Sequence, residues 1–128
     1  MRHSPLTTHL VVSAQSRSAR SARAAVHGLC VDAETGAGTA DVAALLTSEL
    51  VTNAHEHAGG RAVLDAFVDD RCVRVDVADG DATLPGPRAI DLEAERGRGL
   101  LMVAAFASRW GARPTTGGKT VWFELDLA

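Results

Sequence analysis

Glu49 and Asn53 stand four positions apart in residues 41–58, a stretch that reads as a helix, so both side chains leave one face of it. A carboxylate there can take a proton from a water or hydroxyl, and an amide oxygen can ligate a hard cation. Together the two suit a magnesium ion carrying a phosphate. The plainer alternative is an internal Glu–Asn hydrogen bond sealing a core, because buried polar groups find partners. His55 and His57 also invite a metal reading, but two residues apart on a helix they point about 200° from each other and cannot chelate one ion. His57 falls on the side of Asn53 and is expected to hydrogen-bond locally, with His55 and Glu56 in solvent.

Three further clusters carry chemistry. Asp79-Gly80-Asp81 sits where a clean strand ends. A carboxylate placed there can accept a hydrogen bond from a planar ligand amine, although Asp-Gly is also a turn signal. Gly97-Arg98-Gly99 precedes the apolar run from Leu100. Glycines before a helix let backbone N–H groups approach phosphate oxygens, and Arg96 and Arg98 add formal charge. The dinucleotide fingerprint is excluded, since Met102 stands where its third glycine belongs, and no Gly-Lys-Ser/Thr of a P-loop follows. Lys119-Thr120, after Gly117-Gly118, gives the last strand a cation and a hydroxyl; the plain reading is a hairpin start with a solvated lysine. Trp110 and Trp122 read as core or interface aromatics.

The elements that must position these groups follow from periodicity. Residues 9–13 read as a short edge strand, and residues 16–21 offer capping groups for an Ala-rich helix reaching about residue 29 or 30. A loop follows over residues 32–39. The helix of Glu49 and Asn53 is expected to start near Thr39 or Asp41 and stop at Gly59-Gly60. Val42, Leu45, Leu46 and Leu50 mark its apolar face, and Glu49 and Asn53 fall inside that arc. Burying such groups unpaired costs several kcal/mol, roughly, so they must bind each other or something else.

Residues 62–68 and 72–78 form an antiparallel pair through Asp69-Asp70-Arg71, with Val73, Val75 and Val77 alternating with Arg74 and Asp76. Residues 80–96, containing Pro85, Gly86 and Pro87, are long enough for a flap. A helix over 100–108, a strand over 109–113, a turn over 114–118 and a strand over 120–127 complete the order β-α-α-β-β-loop-α-β-β. The fold class is α+β, a two-layer α/β sandwich with helices on one face of a mixed, mostly antiparallel sheet. Residues 1–128 are expected to form a single domain.

Composition narrows the function. A hydrophobic content of 46%, charged residues at 23% and a formal charge of -3 give no broad basic field, so no direct nucleic-acid partner is expected. Cys30 and Cys72 show no metal-ligand spacing and read as small buried thiols of a reducing compartment. Neither a signal-peptide core nor an apolar run of about 18 residues is visible, so a cytoplasmic protein away from the membrane is expected.

Taken in order, residues 49–58, Asp79-Gly80-Asp81, residues 97–103 and Gly118-Lys119-Thr120-Val121-Trp122 resemble the N-box, G1 box, G2 box and closing Thr strand of the GHKL ATPase superfamily. The similarity runs from about residue 16 to 127 and is greatest to its small histidine-kinase-like branch, the anti-sigma-factor serine/threonine kinases. The resemblance implies a Bergerat fold with ATP between helices and sheet, under a lid formed by residues 82–96. It implies Mg²⁺ on Asn53, Glu49 as base toward the attacking hydroxyl, and Asp79, beside Gly80, receiving the adenine amine. Gly97, Arg98, Gly99 and Leu100 would form the phosphate side, with the two glycines as lid hinge, and Thr120 would support the adenine pocket. One departure is plain: the family's G1 box is usually Asp-x-Gly, whereas here Gly80 precedes Asp81. The implied partners are a STAS-type anti-anti-sigma protein, a sigma factor and a second copy of the chain, pairing through the exposed edge near residues 10–12. The alternative is a non-catalytic, nucleotide-dependent protein-interaction module.

Overall fold

The computed structural model describes residues 5–13, 17–58, 60–80 and 94–127. Its elements are β1 (Leu6–Val12), α1 (Ser18–Asp32), α2 (Ala37–Ala58), β2 (Ala62–Val68), β3 (Cys72–Asp79), α3 (Ala94–Phe106), β4 (Arg109–Thr115) and β5 (Gly118–Asp126). The strands form one sheet in the order β1-β2-β3-β5-β4, and each pairing is antiparallel, so the mixed component expected from sequence does not arise among them.

Strict alternation gives this sheet two different faces. Leu64, Ala66 and Val68 of β2, Val73, Val75 and Val77 of β3, and Val121, Phe123 and Leu125 of β5 are buried on one side. The helices lie against that side: α2 packs on β3 and β5, α1 on α2 and β1, and α3 on α2. The buried faces of α1 and α2 are built largely of small residues, Ala22, Val26 and Cys30 against Ala40, Ala43 and Ala54, which allows close helix packing. Leu46, Leu50 and Phe123 supply the bulk of the core between helices and strands.

Ion pairs knit the opposite face. Arg74 lies 4.3 Å over the Trp122 ring and reaches Asp76 at 2.8 Å and Glu124 at 3.3 Å. Arg109 bonds Glu124 at 2.8 Å and also holds Asp126. This face is charged but self-neutralised, and Trp122 serves it as a stacking partner.

Several element ends differ from expectation. β1 starts at Leu6 because its ladder with β2 runs back to the Leu6–Val68 pair. α2 starts at Ala37, upstream of Thr39 and Asp41, where Gly36 at φ +97 turns the chain and its carbonyl accepts the Ala40 N–H at 3.0 Å. Leu45 is 37% exposed, since the buried arc of α2 is rotated toward Ala43, Leu46 and Leu50. α3 begins at Ala94, so Gly97 and Gly99 lie within it and not ahead of it. Residues 81–93, which include most of the expected lid, lie outside the described residues. No helix among the described residues is long and apolar enough to cross a membrane.

Candidate functional site

Thr47 and Asn53 are the polar side chains buried on α2 among the described residues, and they are treated differently. Thr47 turns its hydroxyl back to donate to the Ala43 carbonyl at 2.7 Å. Asn53 is 4% exposed, and its Nδ2 has no hydrogen-bond partner among the described residues. The sealing Glu49–Asn53 hydrogen bond therefore does not form, because Nδ2 is the donor it requires. Glu49, one turn earlier, is half-buried. An open buried donor costs roughly 1–3 kcal/mol. The Asn53 amide oxygen is of the type that ligates a hard cation, and Nδ2 is a donor of the type that meets a phosphate oxygen.

His55 departs from expectation. It is half-buried and its Nε2 is shut away from solvent without a hydrogen-bond partner, so it is not a freely solvated side chain. The side chain of His57 falls outside the described residues. No cluster of three or more His, Cys, Asp or Glu is placed to hold a metal ion among the described residues. Cys30 and Cys72 are free; Cys30 is buried as expected whereas Cys72 is only half-buried, and burial pushes both thiols up from their ordinary range.

The end of β3 brings Asp79 opposite Lys119 of β5. Lys119 Nζ donates to the carboxylate at 3.2 Å and 3.0 Å, and both side chains are only 2% exposed. The solvated lysine expected from sequence is thus corrected: Lys119 shares the apolar face with Val121 and Phe123, and the Asp79 charge is what permits its burial. The signal was present in the alternation Lys119, Val121, Phe123, Leu125, which assigns Lys119 the inward position.

Register assigns Thr120 to the other face. Its cross-strand partners are Ala78 and Arg113, and although it is 4% exposed it does not share Asp79's side of the sheet. Gly118 is the glycine this strand end requires, because a Cβ there would stand 1.8 Å from the Asp79 carbonyl oxygen. Gly80 is less constrained, with its nearest atom for a Cβ, the Gly117 oxygen, at 4.0 Å. Asp79 and Gly80 also border a cavity of ≈ 550 Å³ whose walls Val11, Val63 and Ala78 lie in register with Thr120, on the sheet face turned away from α2. From the glycine segment, Leu100 is buried in the core, packed from α3, while the Arg98 side chain falls outside the described residues.

The fold has counterparts. The family model of the histidine kinase-like ATPase domain matches residues 12–125. No curated protein matches the chain. Among solved structures, the RsbU and RsbW domains of Rv1364c from Mycobacterium tuberculosis superpose with a TM-score of 0.73 at 24% identity, over 98% of this chain and 33% of that one. The chain thus spans about a third of that protein's length. The SiaB–SiaC complex from Pseudomonas aeruginosa gives a TM-score of 0.63 at 14% identity, over 94% of this chain and 89% of the other. At these identities the two structures speak for the fold alone.

Proposed function

The chain belongs to the histidine kinase-like ATPase family, and from that premise we propose that it binds ATP with Mg²⁺ between α2 and the sheet and transfers the γ-phosphoryl group to a serine or threonine of a protein partner. The observation that carries this reading is the buried amide of Asn53, left without a partner for Nδ2, one turn from the half-buried carboxylate of Glu49. An interior donor left open is best explained by a phosphate that comes and goes.

Each residue then has a chemical task. Asn53 would hold the ion through its amide oxygen and donate from Nδ2 to a phosphate oxygen. Magnesium, when bound, offsets phosphate charge. Glu49 would orient the attacking hydroxyl and take its proton, and Asp79 would accept the exocyclic amine of the base. Gly97, Arg98, Gly99 and Leu100 would supply the phosphate side from the first turns of α3. Thr120 could support the base end only through its backbone, given the face its side chain occupies. Such a site works by positioning and electrostatics, with little covalent chemistry of its own.

The partners proposed are a STAS-type anti-anti-sigma protein as phosphoryl acceptor and a sigma factor held in its absence, with the chain acting in the cytoplasm as a homodimer. Support comes from the family and from the kinds of protein named among the structural counterparts, one carrying an RsbW domain and one solved as a two-protein complex. The experiment is transfer of labelled phosphate from ATP to candidate partners encoded nearby, wild type against Glu49→Gln. Equal labelling by both would remove Glu49 from its role.

A second reading, a nucleotide-dependent interaction module without catalysis, is favoured by one observation: Asp79 already has Lys119 as an ion partner. Calorimetry separates the two. Binding of ATP without transfer to any partner supports the module, whereas binding with transfer supports the kinase.

A further inference from the structure

We propose that Lys119 is a base-selecting residue, donating from its ammonium to the ring nitrogen beside the exocyclic amine of adenine while Asp79 accepts from the amine itself. This inference rests on the nucleotide-binding reading above and assigns the chemistry of its base end.

Position 119 lies on an apolar stripe with Val121, Phe123 and Leu125. A hydrophobic side chain there would extend the core without desolvating a charge, and replacing buried ion pairs by packed apolar residues is commonly neutral or stabilising. An ammonium at 1% exposure in that place is therefore poorly explained by packing alone. What it does provide is chemical: a strong donor 3.0 Å from a carboxylate oxygen, side by side at the end of two paired strands.

A lone carboxylate is acceptor-only and can read an amine, but nothing next to it. The Asp79–Lys119 pair sets an acceptor and a donor side by side, 3.0 Å apart. Adenine's pairing edge presents the complement, an amine donor adjacent to a ring-nitrogen acceptor, and enzymes commonly read a base by that edge. The pair is also neutral overall, so it can face a heterocycle without leaving an isolated buried charge. A site built to hydrogen-bond a ligand atom rejects the analogue lacking that atom, since its own buried group is then left unpaired.

The test uses the whole chain and three nucleotides with Mg²⁺ in calorimetry: ATP, 1-deaza-ATP, in which carbon replaces that ring nitrogen, and purine riboside triphosphate, which lacks the amine. Wild type is expected to bind 1-deaza-ATP at least about tenfold more weakly than ATP, and Lys119→Met to bind the two alike. Loss of the amine should weaken binding to both proteins. Equal affinity of wild type for ATP and 1-deaza-ATP overturns the assignment, even if Lys119→Met weakens ATP, because that pattern means Lys119 only neutralises Asp79. No binding of ATP at all would instead remove the nucleotide reading on which the assignment stands. The wild-type comparison needs no variant, so poor folding of Lys119→Met leaves the decision intact.

Discussion

Lys119 and Asp79 face each other across the β3–β5 ladder, with Nζ 3.2 Å and 3.0 Å from the two carboxylate oxygens and both side chains closed off from water. Removing one member takes a buried ion partner from the other. Lys119→Met and Asp79→Leu are each expected to lose about 3–5 kcal/mol, while the double variant loses less than the sum of the two because the ion pair is removed whole. Urea unfolding of the four proteins gives the coupling directly. Strictly additive losses would mean that water reaches the pair and screens it.

Gly118 precedes that lysine, and its constraint is steric. An added Cβ would stand 1.8 Å from the Asp79 carbonyl oxygen and 2.8 Å from its carbonyl carbon, so backbone must move. Gly118→Ala is expected to destabilise by at least about 1–3 kcal/mol, the range for overpacked interiors. Gly80→Ala should be mild by comparison, since its nearest contact is the Gly117 oxygen at 4.0 Å. Thermal unfolding of the two variants side by side checks the contrast.

On the far face of the sheet, the Arg109 guanidinium, with help from Arg74, holds the Glu124 carboxyl below its usual range, and Arg109 does the same for Asp126. A carboxylate whose folded pKa is depressed adds stability that is present above its unfolded value, roughly pH 4.3 for glutamate, and is lost as pH falls through the lower folded value. Glu124→Gln should therefore flatten the fall of stability in that acidic window and lower stability modestly near pH 7. Denaturant midpoints across the acid range, repeated at high salt, test this. Arg109 is half-exposed, so salt should shrink the difference.

Much of this architecture was legible along the chain. The alternation of Val73, Val75 and Val77 with Arg74 and Asp76 gave β3 and its two faces, and the four-residue spacing of Glu49 and Asn53 placed a polar pair on α2. What escaped was set by contacts remote in sequence. Lys119 occupies an inward position by its own alternation, yet a lysine is placed inside only once its carboxylate partner is known, and Asp79 lies 40 residues away. Gly97 and Gly99 suggested a loop before α3 because of their helix propensity, but the helix starts at Ala94 and passes through both. Leu45 looked like core on a helical wheel and instead lines a groove between α1 and α2, together with Ala24, Gly28 and Ala44.

Asn53 offers the sharpest separation of function from stability. Its Nδ2 is buried without a partner, a state that costs about 1–3 kcal/mol in the empty protein. Asn53→Ala is therefore expected to leave the ligand-free Tm unchanged or to raise it slightly. The same substitution should abolish stabilisation by ATP and Mg²⁺, which for a wild type at a hundredfold excess over Kd amounts to about 2.7 kcal/mol. Thermal melts with and without nucleotide measure both effects in one experiment. A variant that melted well below wild type without ligand, yet kept the full nucleotide shift, would make Asn53 a packing residue and move the phosphate elsewhere; the opposite pattern identifies an amide whose interior position is tolerated because a ligand completes it.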